Sequence, residues 1–230
     1  MAPLNPNNKN NQMKKTIIAL SSLALTTAAS NATLVIAGVI DGDLSGGNPK
    51  AIVLQATADI ADLSTWGVGS ANNGGGSDGE EFTLSGSITN GQYIVITGNV
   101  NSTTFFTTNF GASNFLSFEN GSANINGDDA VELFSSSSVV DTYGDINTLG
   151  DGETWDYSDG YAVRVGGVAS VAFMQADYSS NAFVLDTLDE AAQTLALGTA
   201  FSSFNAPVPE PSSTALLGLA GLATLLRRKR

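Results

Sequence analysis

The chain has no cysteine and no histidine among its 230 residues. Catalytic thiols, nucleophilic triads that use histidine, and zinc sites built from histidine and cysteine are therefore excluded. The absence of cysteine does not indicate a compartment, because many secreted bacterial proteins lack disulfide bonds. Any chemistry must come from carboxylates, hydroxyls or a bound metal ion.

Positive charge is scarce in the middle of the chain. Lys50 and Arg164 are the only cations between Thr33 and Ala206, whereas the same stretch holds 21 of the 22 acidic residues, a formal charge of −19. Such a surface repels phosphate backbones and argues against a nucleic-acid partner. It suits divalent cations, cationic partners or solubility in a salty medium. Residues 33–206 are long enough for one well-cored domain.

The N-terminal residues have the three parts of a secretory signal peptide. Two lysines precede an apolar centre at residues 16–27 and a small-residue exit site that ends at Ala32. Cleavage is expected after Ala32, with Ser30 as the alternative, and the polar residues before Met13 are interpreted as lying upstream of the true start. Residues 1–32 therefore predict export through the Sec translocation machinery, and a buried N-terminal helix is the alternative.

A second apolar run, residues 212–226, lies near the C-terminus and has a helical length of about 22 Å. Because a hydrocarbon core is roughly 30 Å thick, this run predicts a short single transmembrane helix. Prolines at three alternate positions precede it and predict an extended, accessible joint. Four cations follow the run and are expected on the cytoplasmic side: Arg227, Arg228, Lys229 and Arg230.

The order of these C-terminal elements is specific. The sequence Val208-Pro209-Glu210-Pro211 is followed by a Gly- and Leu-rich span and then by the arginine cluster. Residues 207–230 thus resemble the PEP-CTERM sorting tail of Gram-negative bacteria. The resemblance implies recognition by an exosortase, a membrane cysteine peptidase, with an inner-membrane-anchored intermediate and then release to the cell surface or the extracellular space. It also implies an association with extracellular polysaccharide and biofilm. A permanent membrane anchor is the alternative.

Between the two ends, short runs of β-branched and aromatic residues alternate with Gly, Asn, Asp and Ser. The runs and the breakers between them predict seven to nine strands joined by turns. Residues 188–198 predict a short helix. The predicted fold class is all-β, a β-sandwich with Greek-key links. The predicted strands are residues 33–40, 51–57, 80–86, 92–98, 103–108, 130–134, 138–144, 161–167 and 182–186.

The order of the runs also resembles the lamin-tail domain, an immunoglobulin-like β-sandwich, over residues 33–167. The resemblance rests on the segments LVIAGVIDGDLSGGNPKAIVL, INGDDAVELF, VVDTYGDIN and WDYSDGYAVR. Val53 departs from the family, whose members commonly carry an acid there, and residues 168–205 match nothing in it. Such bacterial domains are accessory modules, so the resemblance implies a binding or scaffold role without a catalytic domain.

One acidic loop, DINTLGDGETWD at residues 145–156, is a candidate calcium site. Calcium accepts about six to eight oxygen ligands in irregular loops. Leu149 interrupts the series of donors, and a solvated acidic loop is the alternative. The segment DGDLSG at residues 41–46 begins like a calcium loop, but Pro49 and Lys50 follow it, so it predicts a turn. With calcium as the candidate cofactor, the predicted ligands are Asp145, Asn147, Asp151, Glu153 and Asp156.

Two further groups of side chains are candidates for function. Asp128 and Asp129 could perform acid–base or glycosidic chemistry if two acids faced each other across a substrate. The Asn-Gly that precedes them instead favours a turn in which Asp128 accepts hydrogen bonds from local backbone donors. Trp155 and Tyr157 lie among acids and glycines and are candidates for stacking on sugars, with core packing as the alternative.

The sequence therefore predicts a noncatalytic secreted or cell-surface protein that acts in adhesion or scaffolding of an extracellular matrix. A calcium-dependent carbohydrate-binding module is the alternative, and a carboxylate-based glycan hydrolase is a third hypothesis. The predicted partners are an exosortase-like peptidase, the Sec machinery, extracellular polysaccharide, and the membrane through the C-terminal helix.

Overall fold

The computed structural model of the protein describes residues 32–205. The signal-peptide prediction, apart from Ala32, and the sorting-tail prediction lie outside these residues. The elements in chain order are β1 (Leu34–Leu44), β2 (Asn48–Ala56), β3 (Trp66–Ala71), β4 (Phe82–Thr83), β5 (Tyr93–Thr97), α1 (Val100–Phe110), β6 (Phe115–Glu119), β7 (Ala130–Ser135), β8 (Ser138–Tyr143), β9 (Gly160–Arg164), β10 (Tyr178–Asn181) and α2 (Glu190–Ala200).

The described residues are mostly β-structure in two sheets, which is consistent with the predicted sandwich. The larger sheet has six strands in the order β10–β9–β1–β2–β5–β6, and the smaller has four in the order β4–β3–β7–β8. Paired strands are antiparallel except β5 and β6, which run parallel. Helix α1 provides the crossover that a parallel pair requires.

One hydrophobic core lies between the two sheets. The larger sheet contributes alternate residues such as Leu34, Ile36 and Leu54, and the smaller sheet contributes Val68 and Leu133, all fully buried. Alternation with a period of two places these side chains on one face of each strand. The sandwich therefore has a continuous apolar interior.

A second core lies on the opposite face of the larger sheet, under the two helices. Ala51, Val53 and Val95 of the sheet pack there with phenylalanines of α1 and with Leu197 of α2. Because both faces of β1 and β2 are covered, these strands are apolar at consecutive positions and lack the alternation of a half-exposed strand. Val53 is fully buried in this layer, so an acid at that position would be unfavourable.

Helix α1 corrects the prediction of a strand at residues 103–108. The side chain of Asn99 caps the helix by accepting a hydrogen bond from the Ser102 N–H at 3.0 Å. The hydroxyl of Thr107 donates to the Thr103 carbonyl at 2.9 Å, which suits a helical threonine. Burial of Phe106 beneath the helix overrides the β-propensity of the local sequence.

Two other predicted strands also differ from the structure. Residues 80–86 form a strand only at Phe82–Thr83. Residues 182–186 form a turn after β10, in which Phe183 has a φ of 60°, incompatible with a strand. The helix predicted at residues 188–198 is confirmed as α2, which Asp189 caps by accepting from the Ala192 N–H at 2.9 Å.

Candidate functional site

Two acids of the predicted calcium loop accept hydrogen bonds within the loop itself. Asp145 Oδ1 accepts from the Asn147 N–H at 3.0 Å, and Asp156 Oδ2 accepts from the Gly152 N–H at 2.8 Å. Such contacts are those of side chains that close turns. Asp151 and Glu153 are exposed. Among the described residues, the loop does not bring three acidic side chains within ligand distance of one another. Calcium binding by this loop stays a prediction.

Trp155 and Tyr157 are core residues. Trp155 is 4% exposed and Tyr157 is fully buried, so neither ring offers a face to a sugar. Both rings contact Tyr143 edge-on, with centroid distances of 6.2 and 5.5 Å. The Tyr157 hydroxyl donates to the Asp129 carbonyl at 2.9 Å. The expectation of sugar stacking is therefore corrected: these aromatics fill the interior, as large rings commonly do.

Asp128 and Asp129 have different environments. Asp129 is buried and accepts hydrogen bonds from the Asn73 and Asn126 N–H groups at 2.8 and 3.0 Å, so it performs the turn-closing role expected of Asp128. In contrast, the buried Oδ1 of Asp128 has no hydrogen-bond partner among the described residues. Burial, and then the charge of Asp129, raise the pKa of Asp128 above its usual 3.8. Asp129 therefore anchors a loop, and the repulsion between the two carboxylates destabilises the fold.

Replacement of Asp128 by asparagine is expected to stabilise the domain by roughly 0.5–1 kcal/mol at pH 7, because it removes a charge next to Asp129. The folded-state pKa of Asp128 is raised, so its charged form weakens the fold above that pKa and has no effect below 3.8. The gain should therefore disappear as the pH falls below 3.8. Urea unfolding across this pH range measures it. The exposed Asp78→Asn is the control, and an equal gain in both variants would contradict the prediction.

The structure brings together three acids that are distant in sequence. One carboxylate oxygen from each of Asp43, Asp159 and Asp186 lies within 4.8 Å of the other two. Burial, and then the charges of Asp43 and Asp186, raise the pKa of Asp159 above its usual 3.8. Three such oxygens are fewer than the six to eight ligands that calcium takes. No local sequence pattern could have identified this cluster, because its members come from three separate segments.

Both cations of the domain are held in ion pairs. Lys50 Nζ contacts Asp41 on the paired strand and donates to the Ile125 carbonyl at 2.8 Å. Arg164 Nη2 lies 2.6 Å from Asp141 Oδ2. The side chains of Lys50 and Arg164 are only 12% and 10% exposed. The described surface is therefore dominated by acids whose charge no exposed lysine or arginine offsets.

A groove with a volume of about 580 Å³ lies on the helix-side face of the larger sheet, next to the helical layer. Val35, Gln55 and Tyr93 form part of its floor, and residues 166–169 form a wall. Most of the residues that line it are alanine, valine, glycine or threonine. Its size is within the range of ligand-binding clefts. No motif in the sequence indicated it, because its floor comes from four strands.

The C-terminal residues lie outside the described part of the structure, and their sequence matches a known motif. A family model described as the PEP-CTERM protein-sorting motif matches residues 207–230. The tail is a PEP-CTERM sorting motif. It marks a secreted protein that an exosortase, itself a membrane protein, sorts through a membrane-anchored intermediate to the cell surface. The predicted sorting residues fall within the match but outside the described residues: Val208, Pro209, Glu210, Pro211, Arg227, Arg228, Lys229 and Arg230.

The residues that precede the PEP-CTERM motif have no comparable match. No curated protein and no solved structure is significantly similar to the chain. The lamin-tail type of the sandwich therefore stays a prediction. Within residues 32–205, neither helix has the length and apolar character needed to cross a bilayer.

Proposed function

We propose that residues 33–206 are a noncatalytic module that the PEP-CTERM tail delivers to the cell exterior, where the module acts in adhesion or scaffolding of the extracellular matrix. The sorting motif at residues 207–230 is the observation that carries the proposal. A protein with this tail passes through the membrane and reaches the surface, so its body meets matrix polymers and neighbouring cells.

The distribution of charge supports a binding role. Lys50 and Arg164 are paired with Asp41 and Asp141, so the surface presents mainly carboxylates. A strongly negative surface attracts cationic groups and divalent cations. The expected contacts are with cationic polymers, or with anionic polymers through bridging cations.

The roles of the inward-facing acids support the absence of catalysis. Asp129 and Asp156 accept backbone N–H groups, and Asp141 is held by Arg164 and by the backbone. General acid–base chemistry needs carboxylates that face a substrate and are free to exchange protons. These three buried carboxylates serve instead to fix loops and strands.

Processing of the tail can be tested with a double substitution, Pro209→Ala and Pro211→Ala. The variant should stay in the membrane fraction with its tail intact, while the wild type is released from the inner membrane. Ser212→Ala, next to the motif, is the matched control and should be processed normally. Mass spectrometry of each fraction measures the outcome, and equal processing of all three proteins would contradict the role of the motif.

The role of the body can be tested by retention in the matrix. Cells that express the full chain should hold it in the matrix fraction, and the purified protein should bind matrix polysaccharide without releasing reducing sugars. Release of reducing sugars would support the hydrolase hypothesis instead. A melting temperature that rises with calcium and falls with chelator would support the calcium-dependent carbohydrate-binding alternative, and an unchanged melting temperature would remove it.

A further inference from the structure

The floor of the groove is a row of paired residues across three strands. Tyr93 on β5 pairs with Gln55 on β2, and Gln55 pairs with Val35 on β1. Neighbouring strands are about 4.8 Å apart, so Tyr93 and Val35 are separated by about 10 Å across the sheet. The groove continues to β9, where Val163 and Arg164 line it. Its full width, from β5 to β9, is thus about 14 Å.

The described chain ends at one side of this groove. The ring of Phe204 packs edge-on against Tyr93, with the centroids 5.4 Å apart. The Phe204 carbonyl accepts a hydrogen bond from Asn114 Nδ2 at 3.0 Å. These contacts fix the point from which residues 206–211 continue. That point lies on the β5 side of the groove.

The length of the following segment fits the groove. Residues 206–211 have the sequence Ala-Pro-Val-Pro-Glu-Pro, and a proline at every second position favours an extended polyproline conformation. At about 3.1 Å per residue, Val208 lies about 12 Å along the chain from Phe204, and Glu210 lies about 19 Å from it. Val208 can therefore reach Val35, and Glu210 can reach the β9 side.

The chemistry of the segment also fits the groove. Proline-rich segments dock in apolar grooves that are lined by aromatic residues. Tyr93 is the aromatic residue that lines this groove. Arg164, which lines the groove, is already paired with Asp141, and none of the described residues that line the groove is an acid. Glu210 is the one acid of the tail. Elsewhere the strongly acidic domain would repel Glu210. The absence of acids from its lining therefore favours this groove over the rest of the described body.

We infer that residues 206–211, the joint that carries the Pro-Glu-Pro motif, dock in this groove of their own domain. The docked joint covers the sorting motif and holds the domain close to the membrane anchor. The sorting peptidase then acts on the undocked fraction, so groove and peptidase compete for the same residues. This inference depends on the tail and the groove and is independent of the adhesion role.

Disulfide trapping tests the inference, because the chain has no cysteine of its own. The full chain carrying Val35→Cys and Val208→Cys is exported in a host that lacks the sorting peptidase, purified under reducing conditions and then oxidised. Ser113→Cys with Val208→Cys is the matched control, since exposed Ser113 adjoins Asn114, which contacts Phe204, and lies outside the groove. We expect the groove pair to form an intramolecular disulfide at least about tenfold faster than the control pair, because docking raises the effective concentration of Val208 there.

Two outcomes would overturn docking. The first is equal rates for the two pairs, and the second is a disulfide that forms mainly between molecules, which would assign the groove to a second copy of the chain. If Val35→Cys impairs folding, the half-buried Gln55→Cys provides the same measurement. The rates of disulfide formation do not depend on retention in the matrix. Failure of docking and failure of the adhesion role can therefore be distinguished.

Discussion

Replacement of Arg164 by methionine is expected to destabilise the domain by about 3–5 kcal/mol, because it leaves a buried carboxylate without its cation. Asp141 is 1% exposed, and its Oδ2 accepts both from Arg164 and from the Ile36 N–H at 2.8 Å. Arg164 Nε also donates to the Ile36 carbonyl at 2.8 Å. Since Asp141 lies on β8 of the smaller sheet and Ile36 on β1 of the larger, this network joins the two sheets.

The effect of the Arg164→Met substitution should depend on pH. Burial raises the pKa of Asp141 above its usual 3.8, while Arg164 opposes the shift. Loss of Arg164 raises this folded-state pKa further, so the penalty is present above it and decreases as the pH falls through it. Urea unfolding followed by the fluorescence of the buried Trp66 and Trp155 measures the change.

A double-mutant cycle provides the control for Arg164. Asp141→Asn combined with Arg164→Met should cost less than the sum of the two single substitutions, because the pair is removed together. A single Arg164→Met variant that unfolds within about 1 kcal/mol of the wild type would contradict the proposed role of the ion pair.

Truncation of Phe204 to alanine is expected to cost about 3–5 kcal/mol by leaving a cavity in the second core. Phe204 is fully buried, and its ring centroid lies 5.1 Å from that of Phe201, 5.2 Å from Phe110 and 5.4 Å from Tyr93. The residue thus holds the C-terminal end of the domain against α1 and the sheet. Its loss should also weaken attachment of the joint to the body.

The matched control for Phe204 is Leu195→Ala. Leu195 lies on α2 but is 73% exposed, so its truncation should change the free energy of unfolding by less than about 0.5 kcal/mol. Equal effects of the two substitutions would show that the second core does not depend on the Phe204 ring. Thermal melting of both variants provides an independent measurement.

The main strands could be predicted from the sequence because their composition and their breakers agree. The runs at residues 33–40 and 51–57 overlap β1 and β2, although β1 extends to Leu44 and β2 begins at Asn48, so the turn is shorter than the predicted residues 41–46. Gly46 and Gly47 in that turn have positive φ angles. The local sequence was sufficient to predict these strands. It was also sufficient for α2, where Asp189 supplies a recognisable N-cap.

Helix α1 and the acidic cluster could not be found in the same way. Adjacent Phe105 and Phe106 fit either a strand or a helix, and the choice depends on a sheet that buries them. Asn99 was the one local signal for the helix, as an N-cap three residues before Ser102. The cluster around Asp159 depends on contacts between distant segments, which no local pattern encodes.

The sorting motif implies that the acidic, strand-built domain leaves the cytoplasm and that its PEP-CTERM tail is then processed. Intact-mass spectrometry of the native protein from the cell-surface and extracellular fractions tests it most directly. We predict a product that begins at Thr33 and lacks the residues that follow the Pro-Glu-Pro motif. A product found only inside the cell, with Met13 and Arg230 both present, would contradict the account.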